Sequence, residues 1–237
     1  MAKKIIFVLI IILIAVVALY IWAEINMPGE EIIPADSYNP SRLETWAADY
    51  LLTQKRFSWK TIDDGQNFCM VENLNPEKEL FPLYFWAYCG EYAIQDGKLK
   101  TLSGSSGPVK IDYPNELSFH DLSRFSYEAP GDGSDYLEDI KRIFPEAVQQ
   151  KIFNFDRRNI INRTEMFALN NMLVWESIKE AIGNCEVKKV FQAHSRTVDI
   201  ELKNGQKLTA IEPKIDDVMD LAVLAEPKCG KILMGTE

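Results

Sequence analysis

Side chains able to do chemistry are few in this chain, and their spacing gives them little to work with. There are only two histidines, His120 and His194. A Ser-His-Asp system would need one of them. Asp121 adjoins His120, but neighbours in sequence do not orient each other's side chains, and His194 precedes Ser195-Arg196, which reads as a turn. Neither histidine stands at zinc-ligand spacing. Gly104-Ser105-Ser106-Gly107 falls one residue short of the G-x-S-x-G nucleophile elbow and reads as a flexible hairpin loop. The acid doublets are Asp63-Asp64, Glu138-Asp139 and Asp216-Asp217. Glycoside cleavage needs two carboxylates about 5–10 Å apart across a cleft, whereas adjacent acids on a helix point apart. Asp216-Asp217 reads as a pair of first-turn acids that complement a helix dipole. Asp132-Gly133-Ser134-Asp135 begins like a calcium loop, yet Tyr136 and Leu137 fall where an oxygen ligand and the glycine belong. Asn162-Arg163-Thr164 is a glycosylation sequon that reads more simply as a helix cap. The residues therefore designate no catalytic group, no cofactor-binding group and no metal ligand.

The cysteines say more. Cys69, Cys89, Cys185 and Cys229 form an even set with no C-x-x-C and no histidine at ligand spacing. Of three pairings, the spacing favours Cys69–Cys89 and Cys185–Cys229, one bridge in each half. Loops of this size predict about 3–4 kcal/mol of stabilisation per bridge in the chain-entropy picture.

An oxidising compartment agrees with the start of the chain. Met1-Ala2-Lys3-Lys4 is followed by residues 5–23, nineteen in a row without charge, glycine or proline. About 20 apolar residues cross a bilayer as a helix. Lysines before the run and Glu24 after it keep the start cytoplasmic and place the rest outside. The run is longer than a signal-peptide core, and Ile21 spoils an A-x-A cleavage site. The expectation is an uncleaved single-pass anchor over 1–23, with Tyr20 and Trp22 at the outer interface. Residues 24–40, with Pro28, Gly29, Pro34 and Pro40, read as a linker.

Removing the first 23 residues leaves 214, with 24 basic and 35 acidic side chains. An acidic body of this kind excludes nucleic acid as a partner, because phosphate binding needs clustered Lys and Arg. The expected exported part is α+β. A body over 41–183 precedes a small disulfide-tied module over 184–237.

The elements follow from periodicity. Residues 41–54 predict a helix capped by Ser41 with Glu44. Short strands are expected over 56–62 and 68–71, and a strong one over 80–94. Asp96-Gly97 turns the chain into a hairpin. The return runs over 98–102, is broken by Ser103 to Pro108, and resumes over 109–113. Residues 116–124 predict a short helix, and 135–144 and 146–155 two helices split at Pro145. The longest helix is expected to start at Asn162 or Thr164 and run to Ile182. In the last module, strands over 185–193, 197–202 and 207–211, with an Asn204-Gly205 type I′ turn, lead to a helix over 214–225 and a closing strand near 232–234.

One stretch has binding potential: Phe81-Pro82-Leu83-Tyr84-Phe85-Trp86-Ala87-Tyr88. Alternation places Phe81, Leu83, Phe85 and Ala87 on one face and Tyr84, Trp86 and Tyr88 on the other. A helix over one side only would leave Tyr84, Trp86 and Tyr88 as a ligand surface. Helices over both sides would bury them.

The segments Trp86 to Gly90, Gln95 to Lys100 and Ser103 to Pro108, with Phe191 to Ser195 and Glu212 to Asp216, resemble a set of membrane-anchored, exported hypothetical proteins of small-genome bacteria. The resemblance covers most of the exported part. It implies a bacterial cell-envelope setting and supplies no substrate and no catalytic residue. A helix followed by an aromatic antiparallel sheet is also loosely similar to cystatin and nuclear-transport-factor folds, an analogy that carries no function. The expected function is a non-enzymatic binding or accessory protein of the envelope with a protein or peptide partner. The alternatives are an envelope hydrolase acting on cell-wall polymer or peptide and a structural assembly subunit.

Overall fold

The structure is a computed structural model that describes residues 42–77, 81–114, 121–193 and 195–237. The anchor run 5–23, the linker 24–40, Ser41, His120, His194 and most of the helix expected over 116–124 lie outside the described residues. Among the described residues no helix is long and apolar enough to cross a membrane.

The architecture is mixed α+β, with antiparallel sheet packed against helices. Helix α1 (Arg42–Leu52) precedes β1 (Gln66–Asn73), β2 (Leu83–Gln95), β3 (Lys98–Asp112) and β4 (Ser126–Glu128), a four-stranded antiparallel sheet in the order β1-β2-β3-β4. Helices α2 (Tyr136–Ile143), α3 (Glu146–Phe153) and α4 (Arg157–Gly183) follow. A second sheet holds β5 (Val187–Gln192), β6 (Thr197–Leu202), β7 (Lys207–Ile211) and, after α5 (Asp217–Cys229), β8 (Leu233–Thr236), in the order β7-β6-β5-β8. β8 runs parallel to β5 and the other neighbours are antiparallel.

The alternation read along β2 decides the layers. Leu83, Phe85, Ala87 and Cys89 join Cys69, Val71, Val109 and Ile111 under Ala47, Tyr50 and Leu51 of α1. The opposite face is covered too. Tyr84 meets Phe144 after α2, with ring centroids 5.9 Å apart. Trp86 stacks on Phe155 before α4, and Phe68 of β1 meets Phe167 of α4 edge to face. Such ring pairs add about 0.5–1.5 kcal/mol each to their area burial.

The expected break in β3 does not occur. Ser103 to Pro108 continue the strand because Trp86 faces Pro108 and Tyr88 faces Ser106, while the Gly90–Gly104 pair leaves room for the neighbouring Tyr88 and Tyr92 rings. The Trp86 indole N–H donates to Ser106 Oγ at 3.0 Å. A Cβ on Gly104 would lie 3.1 Å from the Tyr88 hydroxyl, and one on Gly90 would lie 2.9 Å from the Tyr92 ring. β4 covers β3 only at Lys110, Ile111 and Asp112. Lys98, Lys100 and Pro108 sit on the remaining edge, residue types that discourage strand addition.

Residues 56–62 form turns rather than a strand, because side chains satisfy their backbone. Asn67 both accepts from Trp59 N–H and donates to Trp59 C=O, and Glu91 accepts from Thr61 N–H at 2.7 Å. Helix α4 starts at Arg157, not at Asn162 or Thr164, since Asp156 Oδ1 accepts from Arg158 and Asn159 N–H. That side chain satisfies two of the orphan donors at the helix start. Thr164 instead lies buried inside the helix, its hydroxyl donating to Ile160 C=O.

Helix α4 packs on both sheets. Ala168 and Ile160 are buried toward its start, and Trp175, Ile178, Ala181 and Ile182 join the core of the second sheet with Val190, Val198, Ile200, Val218 and Ala222. Between these halves, the Asn171 carboxamide accepts from Ile211 N–H at 2.7 Å and donates to Ile211 C=O at 2.9 Å, clamping the edge strand β7. Both expected disulfides are present: Cys69–Cys89 joins paired residues of β1 and β2, and Cys185–Cys229 ties the exit of α4 to the end of α5. Helix α5 starts three residues later than expected and contains Pro227 in its last turn.

Candidate functional site

A groove of about 660 Å³ opens between the end of β1 and the corner joining α3 to α4. Glu72, Asn73, Leu74 and Pro76 form one wall. Lys151, Asn154, Phe155, Asp156, Asn159 and Arg163 form the other. The volume lies within the range of about 300–1,000 Å³ common for small-ligand sites.

Local chemistry builds the helical wall. α3 ends at Phe153, where Asn154 returns both its backbone N–H and its side-chain amide to Gln150 C=O. Asp156 then opens α4. Asp156, Asn159 and Arg163 follow at spacings of three and four, which sets them on one helix face. Phe155 between the helices is held flat against Trp86, with centroids 4.6 Å apart and ring planes 7° apart. The Arg157 guanidinium lies 5.0 Å from the Trp86 ring centroid on the same stack.

The charged groups of the groove are mostly spent on one another. Arg163 donates to Glu72 Oε2 at 3.1 Å across the groove. Both partners are partly exposed, so the pair is worth under about 1 kcal/mol and acts chiefly as a positional brace. Asp156 is committed to the α4 N–H groups. Lys151 makes no ion pair with a described residue. On the strand wall, Asn73 Oδ1 accepts from Asn75 N–H at 2.8 Å, and Asn73 N–H donates to Glu44 at 3.3 Å. The lining contains three carboxamides, two acids, two bases and three apolar side chains, and no serine, threonine, cysteine or histidine.

The buried acids elsewhere are structural. Glu91 is fully buried. Burial alone would raise its pKa, but hydrogen bonds from Thr61, Ile62 and Ser103 hold the carboxyl below its ordinary range. Glu212, also fully buried, accepts from Asp216 and Val218 N–H at the start of α5. Burial keeps its pKa raised despite those bonds. Burial also pushes Asp49 on α1 up to about 6, against the opposing charge of Arg196. None of these three lines the groove.

The residues singled out from sequence scatter. Tyr84, Trp86 and Tyr88, the anticipated ligand surface, are 7%, 1% and 7% exposed, because helices cover that side of the sheet as well. Gly104 to Gly107 lie within β3. Asp139 of the Glu138-Asp139 doublet accepts from Gly131 N–H and pairs with Arg142. Asp216 precedes α5 in a left-handed conformation and Asp217 is its first residue. No group of three or more His, Cys, Asp or Glu suited to a metal ion occurs among the described residues. Of the groove, sequence reasoning touched only Arg163, and that as part of a sequon. The missed signal was an N-cap at Asp156, which would have placed Asn159 and Arg163 on one face.

Compared with family models, curated proteins and solved structures, the chain matches none.

Proposed function

We propose that this chain is a single-pass, membrane-anchored extracytoplasmic protein that binds a partner in the bacterial cell envelope and carries out no chemistry of its own. The observation that carries the reading is the groove. Its carboxylates are tied to Arg163 and to the α4 backbone, and its lining offers no hydroxyl, thiol or imidazole and no free acid–base pair. Enzymes set such groups in a pocket with a general base in reach; here the buried carboxylates Glu91 and Glu212 brace backbone instead. Two disulfides suit a compartment outside the cytoplasm. The apolar run after Lys3 and Lys4 supplies the tether, and the sequence resemblance supplies the bacterial envelope.

The test is expression of the full-length chain in bacterial cells, followed by membrane fractionation, protease treatment of spheroplasts and thiol labelling. The reading expects a membrane-bound product, digested from outside, with all four cysteines unreactive. A product in the soluble cytosolic fraction with reactive thiols would refute the location. Release of fragments from purified cell wall by the purified chain would refute the non-enzymatic role.

A further inference from the structure

We propose that the groove between β1 and the α3–α4 corner binds a neutral oligosaccharide, an inference that rests on the binding-protein reading and names its ligand class. Charge argues first. The chain carries a net charge of −9, yet the groove lining balances Lys151 and Arg163 against Glu72 and Asp156. A site for an anion or a cation would leave one sign in excess. The hydrogen-bonding groups argue next. Asn73, Asn154 and Asn159 bring carboxamides to one opening. Each is engaged on one side only: Asn73 Oδ1 accepts from Asn75 N–H, Asn154 Nδ2 donates to Gln150 C=O, and Asn159 Oδ1 accepts from Arg163 at 3.5 Å. That leaves the Asn73 and Asn159 amide donors and the Asn154 carbonyl acceptor for hydroxyls that both give and take a proton. Phe155 is fixed in place by its stack on Trp86, so a flat apolar surface faces the polar rim without a rotamer to order. Leu74 and Pro76 continue that surface on the strand side. Sugar rings have this same division, apolar C–H faces and a polar equator.

A peptide added as an extra strand fits less well. Strand addition uses free backbone groups on a sheet edge, and the Asn73 N–H at the groove is already taken by the Glu44 carboxylate. Recognition falls instead to side-chain amides and to Lys151, whose ammonium can donate to sugar hydroxyls and ring oxygens.

The full-length chain, purified in detergent, is titrated by calorimetry with three probes: fully N-acetylated chitotetraose, cellotetraose and an uncharged Gly/Ser/Ala hexapeptide. Tryptophan fluorescence gives a second readout, in which Trp86 beside Phe155 is one of five tryptophans. Binding of at least one tetrasaccharide is expected, weakened about fivefold or more by Asn159→Ala or by Lys151→Ala, as loss of a single ligand hydrogen bond predicts. Lys151 has no ion-pair partner among the described residues, so Lys151→Ala should leave the urea midpoint unchanged and separate lost binding from lost folding. No saccharide binding up to roughly 5 mM, or binding indifferent to both substitutions, overturns the assignment. Binding of the hexapeptide alone, abolished by Asn159→Ala, overturns the saccharide class and leaves the binding-protein reading standing. Cleavage of a tetrasaccharide during the titration overturns the binding-protein reading itself.

Discussion

Replacing Asn171 by alanine should cost more than its single position on a helix suggests. Asn171 is 8% exposed and exchanges two hydrogen bonds with the backbone of Ile211, at 2.7 and 2.9 Å. Each such bond contributes about 1 kcal/mol net, and each group left buried without a partner costs about 1–3 kcal/mol. Ile211 is only partly buried, so water can reach part of the vacated site, and the expected loss is about 2–4 kcal/mol. That is a large share of the roughly 5–15 kcal/mol available to a folded domain. The assay is urea unfolding of the full-length, disulfide-intact chain followed by tryptophan fluorescence, where this loss moves the midpoint by about 1 M or more. Amide exchange adds a local readout: Ile211 N–H, protected in the parent, should exchange faster in Asn171→Ala. Asn171→Asp keeps an acceptor for that N–H but sets a carboxylate oxygen against the Ile211 carbonyl, so it should recover less than half of the loss. A destabilisation under about 0.5 kcal/mol, with Ile211 protection unchanged, would refute the idea that this amide clamps β7 to α4.

Two further outcomes concern pH. The Glu91 carboxyl is held below its ordinary value of 4.5 in the folded chain, so it supports folding above that pH and loses that support as pH falls through its lower folded value. The stability gap between the parent and Glu91→Gln should therefore shrink on acidification, and a gap constant from about pH 7 to pH 3 would count against those hydrogen bonds. Asp49 works in the opposite direction, with burial raising it from 3.8 to about 6; the folded state holds its proton more tightly, and the stability this brings fades as pH rises through about 6. Asp49→Asn should stabilise the chain at neutral pH and flatten that decline, and a carboxyl carbon resonance titrating near 4 would sink the claim.

Local chemistry explains which elements were legible. Asp96 and Gly97 both adopt positive φ, 52° and 72°, and these residue types are the ones a type I′ hairpin needs, so the turn, β2 and the start of β3 could be placed. Asn204-Gly205 also turns the chain, but only Gly205 is left-handed, while the Asn204 side chain caps Gln206 N–H in a longer loop. Pro145 separates two helices as read, because proline has no N–H to continue the first. The pairing of four cysteines within their own halves was likewise available from spacing. The groove was not legible, since Glu72 and Arg163 meet across 91 residues of sequence.

By itself the sequence determined the alternation along β2, the hairpin and the helix break at Pro145, all properties of residues and their near neighbours, and its cysteine spacing favoured the disulfide pairs that form. Tertiary packing decided the rest. Ser103 to Gly107 became strand because Trp86 and Tyr88 needed small residues opposite them, the aromatic face closed because helices arrived from both sides, and α4 began where the Asp156 carboxylate met its first N–H groups. Each outcome depends on which distant atoms fill a space or satisfy a backbone group, and periodicity along a chain does not record that.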